Sequence, residues 1–216
     1  MPFALVSAAH IVALSIPADA FAGATKLWLM PLLVLAVFWG GRGSGWGTPY
    51  TLLFLALAFS WIGDGAATFV PQLPELPTML LSFGLAHLCY IALFWRFLAV
   101  RRIPVWATLY AVWWVALLTV LWPVIGALLI AVALYGLVLG GTAVAASRCP
   151  PLIAIGAAVF LASDTVLAFR LFTPSLMPAW TDPLVMLTYC TGQGLIAAGV
   201  IIGLRERRIT RARAIA

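Results

Sequence analysis

Eight apolar runs, each closed or opened by proline or arginine, constrain this chain more than anything else in it. A membrane-spanning helix needs about 20 mostly apolar residues, range about 17–25. In hydrocarbon every backbone polar group must find an internal partner, and a helix provides one for each. The runs cover about 3–21, 26–40, 48–70, 78–98, 103–121, 123–146, 151–173 and 183–204. Pro71, Pro74 and Pro77 end the third, and Trp122-Pro123 parts the fifth from the sixth. Pro150-Pro151 opens the seventh and Asp182-Pro183 the eighth, where helices tolerate proline. Pro31 falls within the second run and predicts a kink there. Only 8% of residues are charged, against about 25% in a soluble domain. The predicted fold class is all-α: an integral membrane bundle of eight transmembrane helices. One domain spans 1–204, and a basic tail follows at 205–216.

Arginine placement orients the bundle. With eight spans both termini share a face, and that face collects Arg42, Arg96, Arg101, Arg102, Arg148, Arg205, Arg207, Arg208, Arg211 and Arg213. The opposite face receives only Lys26 and Arg170. By the positive-inside rule both termini are cytoplasmic; merging the fifth and sixth runs would scatter the arginines. The tail then reads as an anchor near anionic headgroups, too short for a nucleic-acid role. A multi-pass protein of the cell membrane is expected. The run at 3–16 precedes Ala18-Asp19-Ala20-Phe21-Ala22, which resembles a small-residue cleavage site. No basic stretch stands before it, as a signal peptide requires, so it is expected to stay as a helix. Cys89, Cys149 and Cys190 match no zinc or redox spacing, and their odd number argues against a disulfide framework.

Two of these runs contain a carboxylate. Phe59-Ser60-Trp61-Ile62-Gly63-Asp64-Gly65 lies in the third, and Phe160-Leu161-Ala162-Ser163-Asp164-Thr165-Val166-Leu167 in the seventh. An Asp at the centre of a membrane helix costs about 2.5–3.5 kcal/mol, whereas a Leu or Val gains only about 0.3–0.6 kcal/mol. Acids kept at such cost mark functional sites by default; the alternative is a buried Asp that fixes helix packing. Both runs read outward from the cytoplasmic face. Counting at 1.5 Å per residue puts Asp64 and Asp164 at similar depth, slightly beyond the midplane. His87, Tyr90, Tyr189 and Gln193, on runs that read back inward, fall in the same region, and Lys26 sits at the outer mouth of the second run.

The candidate site is therefore Asp64 and Asp164 as a catalytic pair, with Lys26, Ser60, His87, Tyr90, Ser163, Tyr189 and Gln193 around the substrate. Ser60 shares a helix face with Asp64, Ser163 adjoins Asp164, and Gly63 and Gly65 permit close approach of a backbone or a substrate. Each residue has a plainer reading. His87 can be a packed core residue, a metal ligand or an acid–base partner. Tyr189 and Gln193 can bond a substrate oxygen or join helices. Lys26 is an interfacial snorkel or a phosphate contact, and Arg170 an interfacial anchor or a headgroup contact. No His-x-x-x-His or Glu-x-x-His pattern is present, so neither a metal nor a cofactor is expected.

The ordered set Lys26-Leu-Trp-Leu-Met-Pro31-Leu, Phe59-Ser-Trp-Ile-Gly-Asp64, Gly84-Leu-Ala-His87-Leu-Cys-Tyr90, Ser163-Asp164-Thr-Val-Leu-Ala168 and Thr188-Tyr-Cys-Thr-Gly-Gln193-Gly-Leu-Ile196 resembles the YhhN-type lysoplasmalogenase family. The resemblance runs from the second span to the eighth. The chain departs from the family pattern at Leu27, Ala67 and Cys190. The resemblance implies hydrolysis of the vinyl ether bond of a lysoplasmalogen within the bilayer, giving a fatty aldehyde and a glycerophospho-base. That chemistry suits two carboxyls. One protonates the alkene carbon distal to oxygen, and the other activates water against the resulting oxocarbenium ion. Two carboxyls in low dielectric favour one protonated and one ionised form through desolvation and mutual repulsion.

Two other classes use paired membrane carboxyls. An intramembrane aspartyl protease carries Tyr-Asp and Gly-x-Gly-Asp, but Asp164 follows Ser163 and Gly63-Asp64 lacks the first glycine. A proton-coupled transporter of lipids or small molecules would use the two as a relay.

Overall fold

The computed structural model describes residues 2–16 and 19–215, with the side chains at 19, 20, 211, 212, 214 and 215 outside that description. Among the described residues every regular element is a helix. In chain order these are α1 (Pro2–Ser15), α2 (Asp19–Gly40), α3 (Thr48–Asp64), α4 (Ala66–Phe69), α5 (Glu75–Leu93), α6 (Leu109–Ile125), α7 (Leu129–Ala146), α8 (Pro151–Phe172) and α9 (Thr181–Ile215). Apart from the single turn of α4, these are the eight predicted helices, several of them with shifted boundaries. Among the described residues five helical segments are long and apolar enough to cross a membrane, and one of them, Val105–Ala146, contains both α6 and α7. Large apolar side chains such as Leu35, Leu81, Leu109, Val112 and Ile130 stand exposed on the outer surface. A helix that stays apolar on its outer face belongs in lipid. The protein is a multi-pass, all-helical membrane protein.

Several boundaries differ from expectation. The first helix stops at Ser15, short of residue 21, and α2 already begins at Asp19, a residue type favoured in a first turn. The small-residue stretch that resembles a cleavage site begins at Ala18, outside the described residues. The fifth and sixth runs do not part at Trp122-Pro123. Pro123 lies inside the last turn of α6, and the chain reverses at Gly126. Gly126 has φ +62°, a conformation that glycine adopts without the Cβ penalty. Beyond it α7 returns antiparallel along α6, with the Trp114 indole donating to the Ala133 carbonyl at 3.0 Å. The expected tail is a continuation of α9, which runs unbroken to Ile215.

Hairpins assemble the bundle: α3 packs on α5, α8 on α9, and α1 on α2 and α9, while α7 lies between α5 and α8. The closest approach joins α8 to α9. A Cβ on Gly156 would meet the Gly192 carbonyl oxygen at 2.9 Å, and one on Gly192 would meet that of Gly156 at 2.9 Å. Small residues allow this in membranes, where helices gain little from apolar burial and associate through van der Waals contact. The contact seats Tyr189 and Gln193 of α9 deep against α8, both nearly inaccessible. On the other side, the Trp61 indole of α3 donates to the Leu27 carbonyl of α2 at 2.9 Å.

Candidate active site

Asp64 and Asp164 line one partly enclosed cavity of about 160 Å³ between the hairpins. Both carboxyls are half-buried. Asp164 projects from the body of α8, whereas Asp64 is the last residue of α3. The sequence places Asp64 inside a long apolar run, yet the helix breaks directly after it at Gly65. Gly-Asp-Gly combines residues with weak helix propensity, and that local preference prevails here. Neither glycine admits a backbone or a ligand. A Cβ on Gly63 would strike the Phe83 ring at 2.7 Å, and one on Gly65 the Phe69 ring at 2.4 Å.

Each carboxyl is held by a phenol from another helix. Tyr189 of α9 donates to Asp64 Oδ2 at 2.7 Å. Tyr135 of α7 donates to Asp164 Oδ2 in a short hydrogen bond. Such bonds fix a carboxyl's orientation, and where the carboxyl is ionised they are roughly twice as strong as neutral ones. Among the described residues no partner is bonded to the other oxygen of either carboxyl. Phe160 stands edge-on to Tyr189 at 5.4 Å and to the His87 ring at 4.9 Å, and His87 in turn faces Tyr135 at 5.8 Å. The two phenols thus flank a common aromatic wedge.

The predicted residues divide into two groups. Lys26, Ser163 and Tyr189 line the cavity with the two acids, although the Ser163 hydroxyl is committed to the Val185 carbonyl at 2.9 Å. Ser60, His87, Tyr90 and Gln193 lie behind that wall, all of them buried. There Tyr90 donates to Gln193 Oε1 at 2.5 Å, and the Gln193 amide donates to Ser60 Oγ at 3.1 Å. This chain ties α5, α9 and α3 together. Among the described residues neither ring nitrogen of His87 has a partner. Arg170 is not at the cavity wall. Its guanidinium pairs with Asp182 at 3.3 Å and donates to Thr181 Oγ1 at 2.7 Å, which clamps the end of α8 to the start of α9.

Three cavity-lining residues carry no functional signal in the sequence. Tyr135 sits alone in an apolar run with no polar neighbour to mark it. Counting about 12 residues into the sixth run places it in the same layer as the acids, and that count was the available signal. Trp113 lines the cavity and donates to Thr165 Oγ1 at 3.0 Å. Asp182, expected only as a helix-opening residue, also lines the cavity. The remaining wall is apolar, formed by Leu80, Leu117, Val132, Leu139 and Met186 among others. Among the described residues no cluster of His, Cys, Asp and Glu is grouped to hold a metal ion.

The YhhN family model matches residues 21–200, most of the chain and the whole of this site. The chain belongs to the YhhN family. No curated protein and no solved structure matches it significantly. The match covers α2 through most of α9, so every cavity residue named above lies inside the YhhN region.

Proposed function

We propose that the protein is a lysoplasmalogenase-like hydrolase. It cleaves the vinyl ether bond of a single-chain ether phospholipid drawn from the bilayer, releasing a fatty aldehyde and a glycerophospho-base. The observation that carries this reading is the pair of phenol-held carboxyls on one apolar cavity. YhhN membership supports it.

The geometry suits the chemistry step by step. The apolar wall accepts an alkenyl chain and excludes bulk water. One carboxyl, protonated, gives its proton to the alkene carbon distal to oxygen. The double bond shifts, and the carbon bearing the ether oxygen becomes an oxocarbenium centre. The other carboxylate stabilises that cation and takes a proton from the water that adds to it. The hemiacetal then collapses. The first carboxylate takes the hemiacetal hydroxyl proton, the second carboxyl protonates the departing glycerol oxygen, and both return to their starting states. Tyr135 and Tyr189 keep one oxygen of each carboxyl occupied and so turn the other toward the substrate. Lys26 and Asp182, with opposite charges beside the cavity, suit a zwitterionic headgroup.

The test is aldehyde release from a purified lysoplasmalogen, followed by mass spectrometry. General acid–base groups contribute about 10²- to 10⁴-fold, so Asp64→Asn and Asp164→Asn should each lower turnover by that order in protein that still inserts. Near-normal release by either variant overturns the acid–base pair. Solute flux without a chemical product would point to transport, and a cut peptide to proteolysis.

A further inference from the structure

Among the described residues five aromatic rings line the carboxylate cavity, and four of them are already engaged. Tyr135 and Tyr189 hold the two carboxyls. Phe83 stands edge-on to Tyr189 at 6.0 Å. Phe172 packs against the cluster of Leu121, Ile125 and Val132. The fifth, Trp113, is half-buried on α6, one turn from Leu117 on the same wall.

Two contacts fix the plane of its indole. At one edge Nε1 donates to Thr165 Oγ1 of α8 at 3.0 Å. The Thr165 hydroxyl in turn donates to the Leu161 carbonyl at 2.7 Å, which sets its rotor and leaves a lone pair for the indole. Thr165 follows Asp164 in the chain, so the bond registers the ring to the turn of α8 that carries the acid. At the opposite edge the six-membered ring lies against α7. A Cβ on Gly140 would stand 3.6 Å from Cζ3 and 3.9 Å from Cε3. A ring held by opposite edges between α7 and α8 presents a face to the cavity. An aromatic face is negative, and an indole attracts a cation more strongly than a phenol or a phenyl ring does.

We propose that the Trp113 face is the cation-stabilising wall of the site, lying against the ether-bearing carbon as the vinyl ether is protonated. This rests on the hydrolase reading. When the acid's proton passes to the distal alkene carbon, the acid becomes a carboxylate, and a positive charge is shared between the ether-bearing carbon and its oxygen. The neutral alkenyl ether gains little from the ring and the cation gains much, so the contact acts on the transition state. A π face supplies negative potential without a further ionised side chain, which would be costly within the bilayer.

The test puts tryptophan carrying one, two, three or four ring fluorines at position 113 of the full-length protein in nanodiscs. Single-turnover aldehyde release from a purified lysoplasmalogen is then followed. Fluorine withdraws π density, scarcely alters the ring's outline, and strengthens rather than weakens the Nε1 donor. The rate should fall by a similar factor with each fluorine, to about 30-fold below wild type, the worth of a desolvated cation–π contact. Binding of the saturated alkyl-ether analogue, which forms no cation, should stay the same across the series. Trp113→Leu should lose about the same 30-fold; thermal unfolding checks that it folds, and the fluorinated series decides the matter where it does not. A flat series in protein that releases aldehyde overturns the Trp113 assignment alone and leaves the ring an apolar wall. A parallel loss of analogue binding marks a steric change and overturns it too. A wild type that releases no aldehyde overturns the hydrolase reading and the assignment with it.

Discussion

The two carboxyls share a cavity but are mounted differently. Asp164 lies in the body of α8, two turns from that helix's end, and its phenol comes from α7, 29 residues earlier in the chain. Asp64 ends α3 at a break, and its phenol comes from α9, 125 residues later. Near Asp164 the wall includes Trp113 and Leu167; near Asp64 it is Lys26 of α2 that introduces a positive charge. The difference teaches that two acids on one cavity need not be equivalent. One is fixed by local hairpin geometry. The other depends on contacts that close the bundle end to end, and so on the α8–α9 crossing that positions Tyr189.

The strongest way to break the comparison is the double variant. Groups that act as one unit are grossly non-additive. Asp64→Asn with Asp164→Asn should therefore lose about the same 10²- to 10⁴-fold as the worse single variant, measured as aldehyde release. A loss equal to the product of the two singles would show that the acids act independently. Next come the phenols. Tyr135→Phe and Tyr189→Phe should each lower kcat about tenfold through loss of the hydrogen bond that orients its carboxyl, with KM little changed. An intact kcat in either would assign that tyrosine to packing alone.

Gly192→Leu should cost about 1–3 kcal/mol by overpacking and should lower the activity that depends on Tyr189 in whatever fraction still folds. Thermal unfolding beside single-turnover rates separates the two effects. Gln193→Leu should lower stability by about 1–3 kcal/mol through the stranded Tyr90 and Ser60 hydroxyls, with KM unchanged, because Gln193 lies behind the cavity wall. A large rise in KM would place it at the substrate after all. The smallest effect sharpens the contrast between two cations. Lys26→Ala should raise KM a few-fold with kcat intact. Arg170→Ala should leave kcat intact and lower stability by about 0–1 kcal/mol, the usual worth of a partly exposed ion pair.

Much of this architecture is legible before any coordinates. Proline and arginine punctuation marks the eight long helices because both residue types are costly in mid-span. Boundaries are less legible where two signals compete. Pro123 reads as a break, yet membrane helices tolerate an internal proline where neighbouring groups satisfy the freed carbonyl, and the reversal waits for Gly126 with its positive φ. Asp64 and Asp164 stand out because a carboxylate in hydrocarbon is expensive. Tyr135 does not, since a lone tyrosine in an apolar run costs little and looks like packing. The division between cavity-lining Lys26 and Tyr189 and the buried Ser60, Tyr90 and Gln193 depends on helix rotation. Residue counting along a span gives depth but not azimuth.

The unbroken course of α9 has a mechanical consequence. Tyr189, which holds Asp64, and Arg207, which donates to the Ala99 carbonyl, are carried on one rod. At 1.5 Å per residue they stand roughly 27 Å apart along it. With no joint between them, the phenol and the guanidinium share one degree of freedom: a tilt imposed at either end swings the other.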